Sequence, residues 1–282
     1  MIKKFAKNAL FFLCLVSILT SSANAQENAK ESAYDRVIRT GTLRCGYVVW
    51  DPYLVKDPNT GNYSGIAYDI MQEVGKELNV KVEWAAETGW GTFQEGLNSN
   101  KFDMMCVPVW QSGQRAKAAL LTRPVYFNAL YAFAREDDTR FDREAEAINQ
   151  PNVTVSVVDG DITQAVRAML FPKTKELAAL ELTGSSSVLM DVATKKSDVG
   201  LENMVAINKF NLTSKTKLKV VANKKPLRLF GNVFATKRGE HDFQKMVDAT
   251  IGALNSSGFL ERVARKYAPE AIAIAPDYKL GD

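Results

Sequence analysis

Residues 42–50 read Thr42-Leu43-Arg44-Cys45-Gly46-Tyr47-Val48-Val49-Trp50, and residues 102–109 read Phe102-Asp103-Met104-Met105-Cys106-Val107-Pro108-Val109. Both are short, largely apolar runs of the kind that form buried strands. What lies between them decides the fold. Asp57-Pro58-Asn59-Thr60-Gly61 is a turn, and from Ser64 the period changes: Ile66, Ile70, Val74 and Leu78 recur every fourth residue, as on one face of a helix. Val80 to Trp84 reads as a further strand, and Thr92 to Asn98 as a short helix with Phe93 and Leu97 on one face. Strand, helix, strand, helix, strand predicts a parallel sheet covered by helices on both sides.

A second unit of the same kind starts near Val153. Val153 to Val158 has the strand pattern, Ile162 to Leu170 the helical one, and Ser186 to Thr194 is a helix with Val188, Leu189 and Val192 apolar. Asp198 to Leu201 is a short strand and Asn232 to Thr236 a late one. Phe243, Val247, Ile251 and Leu254 mark a first C-terminal helix. Phe259, Leu260, Val263 and Tyr267 mark a second, after the Ser256-Ser257-Gly258 break. The expected architecture is α/β, with two lobes joined by extended crossings. A small ligand normally sits in the cleft between such lobes.

Composition narrows the function. The chain has 282 residues, 46% hydrophobic and 24% charged, which suits one large or two ordinary domains and excludes a disordered chain. The balance of 36 Lys+Arg against 32 Asp+Glu is too small and too scattered to argue for nucleic acid. A single histidine, His241, argues against a histidine-based triad or a multi-histidine metal site, and neither a metal nor another cofactor is expected.

Residues 1–25 read as an export signal. Lys3, Lys4 and Lys7 precede the apolar run Ala9 to Leu19, and Ala23-Asn24-Ala25 is the small-x-small cleavage pattern, so the mature chain is expected to start at Gln26. A membrane anchor needs roughly 20 apolar residues, and this run is shorter. Phe12 and Leu13 before Cys14 stand where a lipidation site would have small residues. Removing the signal leaves 33 basic against 32 acidic residues, a nearly neutral soluble protein outside the cytoplasm. Cys45 and Cys106 then remain. They are either two buried thiols or a disulfide, which an oxidising compartment permits.

The order and spacing of several fragments carry a resemblance. These are Leu43-Arg44-Cys45-Gly46, Asp51-Pro52-Tyr53, Gly65-Ile66-Ala67-Tyr68-Asp69-Ile70, Trp90, Leu97 and Lys101-Phe102-Asp103. Ser112-Gly113-Gln114-Arg115, Leu121-Thr122-Arg123-Pro124-Val125-Tyr126, Gly258-Phe259-Leu260 and Lys266-Tyr267 continue it. From about Arg36 to Tyr267 the chain resembles an extracytoplasmic solute-binding protein of the polar amino-acid family, the receptors of ABC importers. The resemblance implies a two-lobed periplasmic-binding-protein fold of type II. It places lobe 1 at 33–132 plus 229–282, with lobe 2 inserted at 133–228. It also implies hinge closure on a small polar solute, a membrane permease as partner, a periplasmic location and a monomer.

Within that frame Arg115 matches the arginine that clamps an α-carboxylate, a role its planar fork of donors suits; a surface salt bridge is the alternative. Ser112 aligns with a hydroxyl that meets the ligand, and is equally placed to cap a helix. Trp50, Trp90 and Trp110 fall at or after the carboxyl ends of strands, the rim where ligands collect on open α/β sheets. In the family an aromatic at the Trp50 position stacks on the ligand, whereas Trp110 stands where many members carry serine; Tyr53 is a candidate of the same type. Trp84 is assigned to the core. The second lobe departs from the pattern at Asp159-Gly160-Asp161-Ile162-Thr163-Gln164, where Asp161 either contacts ligand or caps its own helix with Gln164. The family's amino-group carboxylate falls at Glu202 or Asn203, and Glu202 is favoured. Asp161 and Glu202 opposite Arg115 suggest a ligand with a cationic or hydrogen-donating end. Asp69 and Asp103 are expected to face solvent at a helix and a strand end.

Two other readings stay open. One is an enzyme on the same scaffold, as in cyclohexadienyl dehydratases, which needs a general acid beside a carboxylate clamp and would turn over prephenate or arogenate. The other is a solute sensor or accessory protein that signals through a separate membrane partner.

Overall fold

The computed structural model describes residues 31–180, 184–267 and 272–273. The expected export signal lies outside them. In chain order the elements are α1 (Ala33–Thr40), β1 (Thr42–Tyr47), β2 (Val55–Lys56), β3 (Tyr63–Ser64), α2 (Ile66–Glu77), β4 (Lys81–Glu87), α3 (Phe93–Asn98) and β5 (Met104–Trp110). There follow α4 (Gly113–Ala118), β6 (Ala119–Leu121), β7 (Tyr126–Arg135), β8 (Thr154–Val158), α5 (Ile162–Leu170), β9 (Lys175–Ala179), α6 (Gly184–Ala193) and β10 (Val199–Asn203). The last are α7 (Met204–Thr213), β11 (Leu218–Val220), β12 (Arg228–Lys237), α8 (His241–Ser256), α9 (Phe259–Tyr267) and β13 (Ile272–Ala273).

The strands run in the order β4-β1-β5-β12-β7-β10-β8-β9. Each half has a parallel wing, β4-β1-β5 on one side and β10-β8-β9 on the other, as the strand–helix alternation requires. The centre is antiparallel: β12 returns against β5 and β7, and β7 runs against β10. The parallel wings match the expectation for each unit, and β7 and β12 are the long extended strands that carry the chain between the halves. The fold is the two-lobed type II arrangement.

Burial explains the wings. All seven residues of β5 are buried, since helices cover both its faces. One face carries Ile66, Ile70 and Val74 of α2 with Phe243, Val247 and Ile251 of α8. The other carries Phe93 and Leu97 of α3 with Phe102. β4, at the outer edge, alternates exposed and half-buried residues. Trp84 on it is half-buried, packs against the core from this edge, and stacks on Tyr63 at 5.4 Å and Tyr68 at 6.3 Å. Cys45 and Cys106, on the neighbouring strands β1 and β5, are joined as a disulfide with their Cα atoms 5.3 Å apart.

One correction concerns an aspartate. Asp103 does not face solvent: it is buried and accepts from the Arg36 and Arg44 guanidiniums and from the Arg44 N–H at 2.8 Å. It ties α1 to β1 and β5. Asp69 accepts from Lys266 Nζ at 2.8 Å and Tyr267 Oη at 3.0 Å, tying α2 to α9.

One glycine positions the site. Gly65 has φ of 116°, and a Cβ there would lie 2.7 Å from the Pro52 carbonyl oxygen. Its absence lets Ile66 and Ala67, at the start of α2, donate to the Pro52 and Tyr53 carbonyls at 3.2 and 2.7 Å. The loop from Trp50 to Tyr53 is thereby pinned to the first turn of α2.

Candidate functional site

Both halves of the sheet deliver side chains to one cavity outside the carboxyl ends of their strands, where ligands collect on open α/β sheets. Trp50 follows β1, Trp90 follows β4, Pro108 and Trp110 end β5, and Arg115 lies in α4. From the other half come Val158 at the end of β8, Asp161 and Thr163 at the start of α5, Ser185 in the first turn of α6, and Glu202 on β10. The cavity measures about 30 Å³. A chamber of about 870 Å³ shares Trp50, Trp90 and Ser185 with it and also has walls from both halves. Lys209 of α7 forms an ion pair there with Asp51.

Arg115 is buried. Its N–H donates to Ser112 Oγ at 3.2 Å, so Ser112 caps α4 and fixes the arginine's backbone. Nη1 donates to the Trp110 carbonyl at 2.8 Å, and Nη2 lies 3.5 Å from Asp161 Oδ2 on the other half. Asp161 also accepts from the Thr163 N–H at 2.9 Å and caps α5. Of the two roles read for Asp161, the cap is present, and the same residue lines the cavity. Gln164 closes the turn from the other side, accepting from the Gly160 N–H at 3.3 Å.

Glu202 is a buried carboxylate with a displaced pKa. It accepts from the Asn203 N–H at 2.8 Å, from Asn203 Nδ2 at 2.7 Å and from the Ser185 hydroxyl. Burial outweighs these donors and, with a contribution from the Asp161 charge, raises its pKa from 4.5 to about 7. Asn203, the alternative for this position, instead caps α7 by accepting from the Ala206 N–H at 3.0 Å.

The indoles form the walls. Trp50 and Trp90 meet edge to face at 5.4 Å, and Trp110 lies flat on Phe230 at 4.8 Å. Of the candidates read from sequence, Trp50, Trp90, Trp110, Arg115, Asp161 and Glu202 come together at the cavity. Tyr53 and Ser112 are not among the residues lining it. Tyr53 is 1% exposed, stacked behind Trp50 at 4.0 Å, with its hydroxyl accepting from Asn128 Nδ2 at 3.1 Å. Burial raises its pKa, so it stays a neutral phenol. Thr163 and Ser185 line the cavity without having been singled out; the only sequence signal for Ser185 was its place in a serine run at a helix start. Among the described residues, no group of three or more His, Cys, Asp or Glu could hold a metal ion.

The model of the bacterial extracellular solute-binding proteins, family 3, matches residues 43–270. The chain is similar to the L-cystine-binding protein TcyA of Bacillus subtilis, 20% identical over 279 residues that cover 96% of this chain and 99% of that one. It is also similar to the cyclohexadienyl dehydratase of Pseudomonas aeruginosa, 22% identical over 263 residues, covering 92% and 93% of the two. Among solved structures it resembles the ancestral amino-acid-binding protein AncCDT-1, described as a precursor of cyclohexadienyl dehydratase. The TM-score is 0.73 at 22% identity, covering 84% of this chain and 99% of that one.

Proposed function

Because the chain belongs to the bacterial extracellular solute-binding proteins of family 3, we propose that it is a periplasmic receptor. In this reading it binds a small polar, amino-acid-like solute between its lobes and delivers it to an ABC importer. The observation that carries this reading is the convergence of Arg115, Asp161, Glu202 and three indoles, drawn from both halves of the sheet, on one cavity. Lobe 1 comprises residues 33–132 and 229–282 and lobe 2 residues 133–228, with β7 and β12 as the hinge strands. Arg115 holds the anionic group of the solute, Glu202 the donor end, and Trp50, Trp90 and Trp110 enclose the rest. Ser112 positions Arg115, and Tyr53 supports Trp50 from behind. The receptor acts as a monomer, and its relatives named as amino-acid-binding support the solute class.

A thermal-shift screen across amino acids, amines, sugars and organic acids tests this. A solute at 100 times its dissociation constant stabilises the folded chain by ~2.7 kcal/mol. A screen in which no small solute raises the melting temperature removes the reading.

One observation favours a second reading. Glu202, protonated near neutral pH inside the cavity, has the character of a general acid, and one relative is a dehydratase. Turnover of prephenate or arogenate separates enzyme from receptor.

A further inference from the structure

The charged residues lining the inner cavity are Arg115, Asp161 and Glu202, one positive and two negative. The remaining wall is indole, Pro108, Val158 and the hydroxyls of Thr163 and Ser185, which supply no counter-charge. Arg115 is already committed to Asp161 at 3.5 Å and to the Trp110 carbonyl at 2.8 Å. Glu202 meets only neutral donors, the Asn203 amide groups and the Ser185 hydroxyl. The groups facing it from neighbouring elements are Ser185 of α6, Asp161 at the start of α5 and the phenol of Tyr53 before α2. Tyr131 of β7 lies opposite it in the sheet register. None of these brings a positive charge. Once Glu202 ionises, its uncompensated charge in an apolar enclosure is costly, so a closed cavity then favours a solute that restores neutrality.

We propose that this site selects a solute with a net charge of plus one, and that Glu202 is its counter-charge. This rests on the receptor reading and adds the charge class of the solute. A monocation can come from two sources: a basic amino acid, whose carboxylate also reaches Arg115, or a simple organic amine without one. The indole faces add cation–π attraction in either case. Binding then has a proton consequence. Glu202 holds a proton below about pH 7 in the free protein, and pairing with a cation requires it to ionise, so binding releases that proton to solvent. Affinity for a monocation rises with pH up to about 7, by as much as ~10-fold per unit, and flattens above it.

The test is a calorimetric panel on the mature protein at pH 5.5 and pH 8: L-lysine, L-arginine, n-pentylamine, L-norleucine and L-glutamate. Titrations at pH 6.5 in buffers of different ionisation enthalpy read proton release. The expected result is that at least one monocation binds about tenfold or more tighter than norleucine and glutamate at pH 8, and that its binding at pH 6.5 is accompanied by proton uptake by the buffer. Lysine or arginine as the tighter binder identifies a carboxylate-bearing solute; pentylamine identifies a simple amine. Glu202→Gln is expected to erase both the charge preference and the proton release while leaving the circular dichroism spectrum unchanged. Norleucine or glutamate binding as tightly as the monocations overturns the charge assignment and leaves the receptor reading standing. A panel without any binder, together with a silent thermal-shift screen, overturns both.

Discussion

Replacing Glu202 by glutamine isolates the stability consequence of burying a carboxylate in the cavity. The folded protein holds the Glu202 proton up to about pH 7, whereas the unfolded chain releases it near 4.5. Between those values the native state binds more protons than the unfolded state, so stability falls as pH rises and is constant above about 7. A displacement of that size corresponds to a loss on the order of 3 kcal/mol, at ~1.4 kcal/mol per pH unit. Glutamine keeps an oxygen able to accept from the Asn203 N–H and Nδ2 but carries no charge to desolvate. Wild type and Glu202→Gln should therefore have equal melting temperatures below about pH 4.5 and separate progressively to pH 7. For a chain of this size ~2–4 °C accompanies each kcal/mol, so the variant should melt ~6–12 °C higher at pH 8. Calorimetric unfolding at half-unit pH steps measures it. A gap that does not change with pH, or a variant less stable at pH 8, refutes the account of Glu202 as a desolvated acid.

Three other outcomes follow from named contacts. Arg115→Ala should weaken solute binding at least tenfold, because a hydrogen bond to a charged group contributes ~1.5–3 kcal/mol, and titration calorimetry reads it directly. Removing the disulfide with Cys45→Ala and Cys106→Ala opens a loop of 61 residues in the unfolded chain. It should cost ~4 kcal/mol, or ~8–16 °C in melting temperature by differential scanning calorimetry. Asp103→Asn leaves Arg36 and Arg44 without their shared counter-charge and should destabilise by ~3–5 kcal/mol in urea unfolding, with solute affinity unchanged.

The wings of the fold were legible because their signals are local. The four-residue recurrence of Ile66, Ile70 and Val74 marks a helix face, and the apolar run of β5 is short enough for a buried strand. β7 and β9 were not recognised as strands. In β7, Tyr126–Arg135 is apolar at nearly every position and so shows no alternation in the sequence, although burial alternates from Tyr126 to Tyr131 and only its last four residues are buried throughout. In β9, Lys-Glu-Leu-Ala-Ala is made of helix formers and is held extended only by its parallel pairing with β8. The charged cavity residues were legible through the family resemblance, which matches Arg115 and Glu202 to ligand-holding positions and sets Asp161 apart where the second lobe departs from the pattern. Tyr53 was harder to place. Whether an aromatic after a strand faces the cavity or supports the one that does depends on how its loop folds, and Gly65 sets that fold from twelve residues away. Asp103 looked solvent-facing because its partners, Arg36 and Arg44, come from other elements.

Small-angle X-ray scattering of the mature protein, with and without the solute that the screen identifies, tests the central claim most directly. Side chains from both halves of the sheet form one cavity, so a bound solute contacts both lobes only when they are shut. The radius of gyration should fall on saturation with solute, and Arg115→Ala should need more solute to produce the same fall. A profile unchanged at saturating solute contradicts binding by lobe closure.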